Sequence, residues 1–145
     1  GTWLPDGGEN AVILQPGFWD GPVASLARGP TLYERIASPD GSETFEEPRE
    51  YAVALEPGED PEVLDEDEFR QRGDWDRFMD YVEESKIGGT PAFLQYQEYP
   101  GPGRWQLLAQ LNALIVPAGP NFGDAGYGYA FLSEDGRVAK FLWQS

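Results

Sequence analysis

Residues 126–144 read GYGYAFLSEDGRVAKFLWQ and decide the fold class of this chain. Tyr127, Tyr129 and Phe131 alternate with smaller residues, a period of two that predicts a strand with one buried face. A second apolar run, Val138–Trp143, follows an Asp-Gly pair. Asp-Gly between two such runs is a strong hairpin signal, because glycine accepts the positive φ of a tight turn. The chain is therefore predicted to end in an antiparallel hairpin.

Further strands are predicted where short apolar runs lie between glycine and proline residues. They are Ala11–Gln15, Val23–Ala27, Thr31–Ile36, Tyr51–Leu55, Pro91–Gln97 and Trp105–Val116. A short helix is the alternative for Trp105–Val116, and the strand is favoured because Leu107 and Leu111 suit a half-buried ladder. Pro39-Asp40-Gly41 predicts a turn, because proline presets φ and glycine accepts a positive φ.

Helices are predicted at about residues 62–86, where acidic residues suit a first turn and complement the helix dipole. Gly73 interrupts the helical pattern and Asp74 caps its second run. The apolar face of that run consists of Trp75, Phe78, Met79 and Val82. Lys86 is expected near the helix end, which Gly88–Gly89 terminates. These patterns predict one α+β domain over residues 1–145, with a mostly antiparallel sheet and one or two helices packed on it.

The charge balance limits the possible partners. There are 26 acidic and 10 basic residues, a net charge of −16. Such a chain repels nucleic-acid phosphates and anionic membrane surfaces, so neither is an expected partner. Between Asp40 and Glu68 only one residue is basic. The excess charge has two explanations, which are solubility and attraction to a basic protein. The absence of cysteine fits a cytoplasmic protein.

Several kinds of chemistry are excluded by composition. The chain has no histidine and no cysteine, so histidine-based triads and imidazole or thiolate metal sites are ruled out. Its glycines form no nucleotide-binding pattern. No catalytic, metal-ligating or cofactor-binding residue is predicted. Paired carboxylates beside aromatics keep a glycosidase open, and the nearest local matches are Trp19-Asp20, Trp75-Asp76 and Glu98-Tyr99.

Two polar features favour structural roles. The Gly123–Gly126 stretch reads as a tight turn in which Asp124 accepts hydrogen bonds from backbone amides, and the alternative is a ligand loop. Gln95 and Gln110 are expected to make buried cross-strand amide bonds, and the alternative is that they line a pocket.

The order of these motifs resembles a known family. The matching residues are Gly88, Gly89, Pro91, Gln95, Gln110, Gly123, Asp124 and Gly126, in a chain where Lys86-Ile87 precede the glycines. Residues 85–145 thereby resemble the C-terminal half of the YwqG-like proteins of bacteria. The resemblance implies a β-rich α+β fold, a cytoplasmic location and no established catalytic residues. It also implies gene contexts suggestive of toxin–immunity systems.

Charge and resemblance together predict a non-enzymatic cytoplasmic binding protein of the immunity or antitoxin type. An acidic face would dock on a basic protein, such as a nuclease toxin, and cover the surface that holds phosphate. The candidate contacts are Asp60, Glu62, Asp65, Glu66, Asp67 and Glu68. One alternative is a carbohydrate-binding module or a carboxylate glycosidase. Another is an accessory domain of a larger protein, with no activity of its own.

Overall fold

The fold is known from a computed structural model that describes residues 11–15, 17, 21, 33–48, 51–62, 64–116 and 120–145. Within these ranges it contains two antiparallel sheets and two helices, which confirms the predicted α+β class. Contacts group the chain into two compact units, Gly1–Gln15 with Pro57–Ser145 and Pro16–Glu56. The single domain over residues 1–145 stays a prediction, and each unit is described by itself.

The smaller unit holds a hairpin of β1 (Tyr33–Ala37) and β2 (Thr44–Pro48). Ile36 pairs with Phe45 next to the turn. The predicted turn at Pro39-Asp40-Gly41 is confirmed, since this stretch connects the two strands.

The turn of this hairpin has a counterpart in the larger unit, with the same Ser-x-Asp-Gly sequence. Ser38 Oγ donates to Asp40 Oδ1 at 2.6 Å, and Ser133 Oγ donates to Asp135 Oδ1 at 2.7 Å. In both turns the backbone amide two residues after the aspartate also donates to that carboxylate. These hydrogen bonds, the serine bond foremost, lower the pKa of Asp135 and lower the pKa of Asp40 from 3.8 to about 2. The carboxylate is thus part of each turn.

The larger unit is built on a four-stranded antiparallel sheet in the order β3-β4-β5-β6. Its strands are β3 (Lys86–Ile87), β4 (Trp105–Asn112), β5 (Tyr127–Ser133) and β6 (Ala139–Gln144). The terminal hairpin and the strand at Trp105 are confirmed. That strand ends at Asn112 and not at Val116, because Asn112 Oδ1 accepts from the amide of Leu114 and turns the chain.

Two short helices, α1 (Glu66–Arg72) and α2 (Trp75–Glu83), confirm the helical region and its break at Gly73. Asp65 starts α1 by accepting a hydrogen bond from the amide of Glu68 at 3.0 Å. Lys86 does not lie at a helix end as predicted. It pairs with Gln110 in the sheet, because α2 ends at Glu83.

The core lies between the two helices and one face of the sheet. From β5 it takes the predicted alternating set Tyr127, Tyr129 and Phe131, and α2 contributes Phe78 and Val82. The other buried members are Leu64, Ala92, Phe93, Leu107 and Leu142. Burial of these side chains supplies the main favourable free energy of this unit.

Three predicted strands are wrong, and one lies outside the described residues. Ala11–Gln15, Tyr51–Leu55 and Pro91–Gln97 belong to no strand, and Ile13 is 83% exposed where a buried residue was expected. A strand requires a hydrogen-bonded neighbour, which the local pattern of apolar residues does not specify. Val23–Ala27 falls among the residues that are not described.

The segment Pro91–Glu98 is held against the sheet by side chains and not by strand pairing. Gln110 Oε1 accepts from the amide of Ala92 at 3.0 Å, and Gln144 Oε1 accepts from the amide of Gln95 at 3.2 Å. The Tyr129 hydroxyl accepts from the amide of Leu94 and donates to the carbonyl of Ala92. The segment therefore satisfies its backbone polar groups without forming a strand.

Candidate functional site: an acid–aromatic pocket

A pocket of about 320 Å³ opens beside the start of α1 in the larger unit. Its lining combines carboxylates, aromatic rings and amides, and we name it the acid–aromatic pocket. The lining residues are Leu64, Asp65, Glu66, Asp67, Phe78, Phe93, Gln95, Tyr96 and Gln97. Three of the six predicted contact acids thus share one cavity.

Separate sequence elements build the pocket. Acidic residues collect where α1 begins, since they favour the first turn of a helix, and this places Asp65 and Glu66 at the rim. Phe78 comes from the apolar face of α2, and Phe93 from the segment held by Gln110, Tyr129 and Gln144. Both phenylalanines are buried, 3% and 6% exposed, so they form the floor of the pocket and open only small parts of their rings to it.

The rim carboxylates differ in what they already bind. Asp65 caps α1, and Glu66 pairs with Arg70 at 2.8 Å. Asp67 is exposed and makes no hydrogen bond or ion pair with any residue that the structure describes. Tyr96 is 62% exposed beside them. Asp67 is therefore the rim acid best able to bind an incoming cation.

The other predicted contact acids lie elsewhere. Glu62 is exposed outside the pocket, and Glu68 pairs with Arg72 on α1. Asp60 is turned inward: its Oδ2 lies 2.7 Å from Lys86 Nζ, and the two side chains are 13% and 11% exposed. Asp60 is therefore the least available acid of the predicted acidic face, because its charge is matched within the fold. Its role as a partner contact stays a prediction.

The Lys86–Pro91 stretch is explained by this ion pair. Asp60 Oδ2 also accepts from the amide of Thr90 at 2.9 Å, and Thr90 Oγ1 donates to the carbonyl of Pro61 at 2.6 Å. Gly89 has a φ of 77° and lies against Asp60, so that an added Cβ would stand 2.3 Å from Oδ2. Gly89 therefore allows the close contact with Asp60, whereas the amide of Gly88 donates to the carbonyl of Leu108.

The glutamines only partly match their expected roles. Gln110 is fully buried, but its Nε2 donates to the carbonyls of Tyr81, Val82 and Glu84 at the end of α2 and not across strands. Gln95 is exposed and lines the pocket. Its side chain donates to the carbonyl of Ser145.

The buried amides Asn112 and Gln144 play comparable roles that sequence reasoning missed. Asn112 Nδ2 donates to the carbonyl of Glu83 at 2.8 Å, and Gln144 Nε2 donates to the carbonyl of Tyr96 at 2.9 Å. The available signal was an amide residue closing β4 and another closing β6, at positions that face the core.

The turn before β5 forms with a different acceptor. Asn121 Oδ1 accepts from the amide of Gly123 at 3.1 Å, whereas Asp124 accepts no hydrogen bond from the described residues. Asn121 stands two residues before that amide, the spacing of an Asx-turn. Gly126 is required by close approach, because an added Cβ would meet the backbone oxygen of Phe122 at 1.8 Å. Neither observation points to a ligand loop.

Among the described residues no group of three or more acidic side chains is placed to hold a metal ion. Asp40 and Asp135 are the carboxyl groups with a displaced pKa in the described ranges, and both pKa values are lowered, opposite to the raised pKa of a general acid. Trp19-Asp20, one of the three local matches to a glycosidase, lies outside the described residues.

No helix within the described ranges is long and apolar enough to cross a membrane.

Comparison with family models, with curated proteins and with solved structures finds no match. The resemblance of residues 85–145 to the YwqG-like proteins therefore stays a prediction.

The chemistry of the pocket suits an organic cation on a flexible stem. Carboxylates at the rim form charge-assisted hydrogen bonds with ammonium or guanidinium groups. Aromatic faces attract the same cations and pack against the methylene groups behind them. Lysine and arginine side chains have both features. Phe93 and Tyr96 were not expected at a site, because the run that contains them predicted a strand.

Proposed function

We propose that this protein is a non-enzymatic binding protein whose acid–aromatic pocket receives a lysine or arginine side chain of a basic protein partner. The observation that carries the proposal is that Asp67, an exposed carboxylate with no partner among the described residues, lines the same pocket as Phe78 and Phe93. The net charge of −16 supports it, because opposite charge steers a basic partner towards the molecule.

An immunity or antitoxin-type inhibitor is the class of binding protein that this proposal favours. Such a protein covers the basic surface of its target and keeps phosphate from reaching it. Glu62 adds an exposed acid on the same unit, whereas Asp60 is assigned to the fold through Lys86. The proposal includes two further predictions, which are that the chain is related to the YwqG-like proteins and that it is cytoplasmic.

The test is an NMR titration of the full chain with an acetylated, amidated heptapeptide that carries one central lysine. We expect shifts at residues 65–67 and 95–97, and weaker binding as salt rises to about 0.5 M, because the Debye length shrinks. Asp67→Asn should weaken binding about threefold to tenfold, since it removes the charge that meets the ammonium group.

Asp80→Asn is the matched control, since Asp80 is an exposed acid of α2 outside the pocket lining. It removes the same charge and should change binding less than about twofold. A peptide with acetyl-lysine at the centre should not bind. Equal losses from Asp67→Asn and Asp80→Asn, or binding that does not respond to salt, would contradict the proposal.

A further inference from the structure

A second exposed feature lies in the smaller unit. The segment Tyr51–Leu55 belongs to no helix, strand or turn, and its larger side chains face solvent. Tyr51 is 51%, Val53 78% and Leu55 68% exposed. None of its backbone groups hydrogen bonds to a residue that the structure describes. With respect to the described part of the chain, a strand-forming sequence thus has unpaired backbone donors and acceptors.

The sequence of the segment suits addition to a sheet. Tyr51, Val53 and Leu55 would share one face of a strand, and two alanines would lie on the other. Tyrosine and valine favour the strand conformation, and an open sheet edge offers the hydrogen bonds that the segment lacks. Pro57 has no amide hydrogen and limits the pairing to the residues before it.

We infer that residues 51–55 are a recognition strand, which pairs with an exposed sheet edge of a basic protein. Exposed acids of the same unit flank the segment at Glu47 on one side and at Glu56 on the other. Lysine and arginine on the partner's edge would match these charges. The net charge of −16 opposes pairing with a second copy of this chain. The inference rests on the proposed function in one respect, which is that the partner is basic.

The test measures amide hydrogen exchange of the full chain by NMR, with a synthetic probe in place of the partner. The probe is a cyclised β-hairpin peptide of alternating lysine and valine, whose outer edge is open. We expect exchange at alternate amides within residues 51–56 to slow at least about tenfold, since only one edge of the segment pairs. The same hairpin, N-methylated along its outer edge, keeps its charge and should give no slowing.

Two variants complete the design. Val53→Pro removes an amide and should abolish the slowing, whereas Val53→Thr should retain it. Val53 is exposed, so both variants should keep the melting temperature of the parent, which is checked first.

Three results would overturn the inference. The first is no effect of the hairpin on exchange, and the second is equal slowing by the N-methylated hairpin. The third is slowing in the protein alone as its concentration rises. The last result would identify a second copy as the partner. Asp67→Asn should leave the exchange result unchanged, so this test can fail independently of the pocket titration.

Discussion

Gly89 shows how a single residue connects two distant parts of the larger unit. Its φ of 77° and its position against Asp60 leave no space for a side chain. Gly88 has a similar φ of 74°, yet nothing lies within 4 Å of the Cβ that would be added there. The two glycines therefore separate the cost of backbone strain from the cost of a steric clash.

We expect Gly89→Ala to destabilise the protein more than Gly88→Ala does. Both variants place alanine at a positive φ, which costs about 1 kcal/mol in the free energy of unfolding. Only Gly89→Ala pushes the Asp60 carboxylate away from Lys86 and Thr90, so its loss should be larger by about 1–3 kcal/mol. Urea denaturation measures the difference, and equal losses would show that the Asp60 contact is unimportant.

Residue roles were predictable where the chemistry is local. The N-cap at Asp65 and the Asp-Gly turns follow from neighbours within a few positions. The ion pair between Asp60 and Lys86 joins residues 26 positions apart, and nothing in the local sequence distinguishes Asp60 from the acids around it. For this reason Asp60 was expected at a binding surface and was found within the fold.

At the scale of elements, the buried amides of the sheet act as connectors. Gln110 joins β4 to the last carbonyls of α2 and to the amide of Ala92. Gln144 and Tyr129 join the sheet to the rest of Pro91–Glu98. An irregular segment and a helix end are thereby held on one sheet face, and the floor of the acid–aromatic pocket depends on that arrangement.

Gln110→Leu should destabilise the protein by about 2–4 kcal/mol. The change keeps a side chain of similar volume but leaves the amide of Ala92 and carbonyls of α2 buried without this partner. Gln106→Leu is the matched control, because Gln106 is exposed on the same strand, and it should change stability by about 0.5 kcal/mol or less. Chemical denaturation followed by tryptophan fluorescence compares them. A loss no larger than that of the control would contradict the connector role.

Elements with an internal signature were predictable, and elements that depend on distant partners were not. The final hairpin carries its own alternation and turn, and α2 carries its own apolar face. Pro91–Gln97 has the composition of a strand, but the sheet holds it through side-chain hydrogen bonds and does not pair with it. The sequence singled out the acids of the pocket and offered Gln95 as a possible lining residue. The part of Phe93 and Tyr96 was missed, since both lie in that misassigned segment.

At the scale of the whole molecule, tyrosine ionisation couples the core to pH. Burial raises the pKa of Tyr129, and it also raises that of Tyr99. For Tyr127, burial and then repulsion by Glu83 have the same effect. In the unfolded chain these phenols ionise near the ordinary value of 10.0. The free energy of unfolding should keep its full value below pH 10 and decrease as the pH rises above 10. The reason is that the phenols of the unfolded chain lose their protons at a lower pH than those of the folded protein.

We therefore expect the protein to unfold at alkaline pH. Tyrosinate absorbance near 295 nm should increase over the same pH range in which the far-ultraviolet circular dichroism signal is lost. Tyr129→Phe should lower stability at neutral pH by about 1–2 kcal/mol, since the amide of Leu94 and the carbonyl of Ala92 lose a partner. It should also make the alkaline loss of stability less steep. Full tyrosine ionisation in a protein that stays folded would contradict the expected coupling.

A chain segment that is held through hydrogen bonds to its own backbone places little constraint on the identity of its side chains. Substitutions within Pro91–Glu98 should therefore be tolerated widely outside its core members Ala92 and Phe93. Ala92 is fully buried, and the ring centroid of Phe93 lies 5.2 Å from that of Tyr129. Distant relatives would then be recognised by Gln110 and Gln144, whose side chains hold the segment, even where the sequence of the segment itself has diverged beyond alignment.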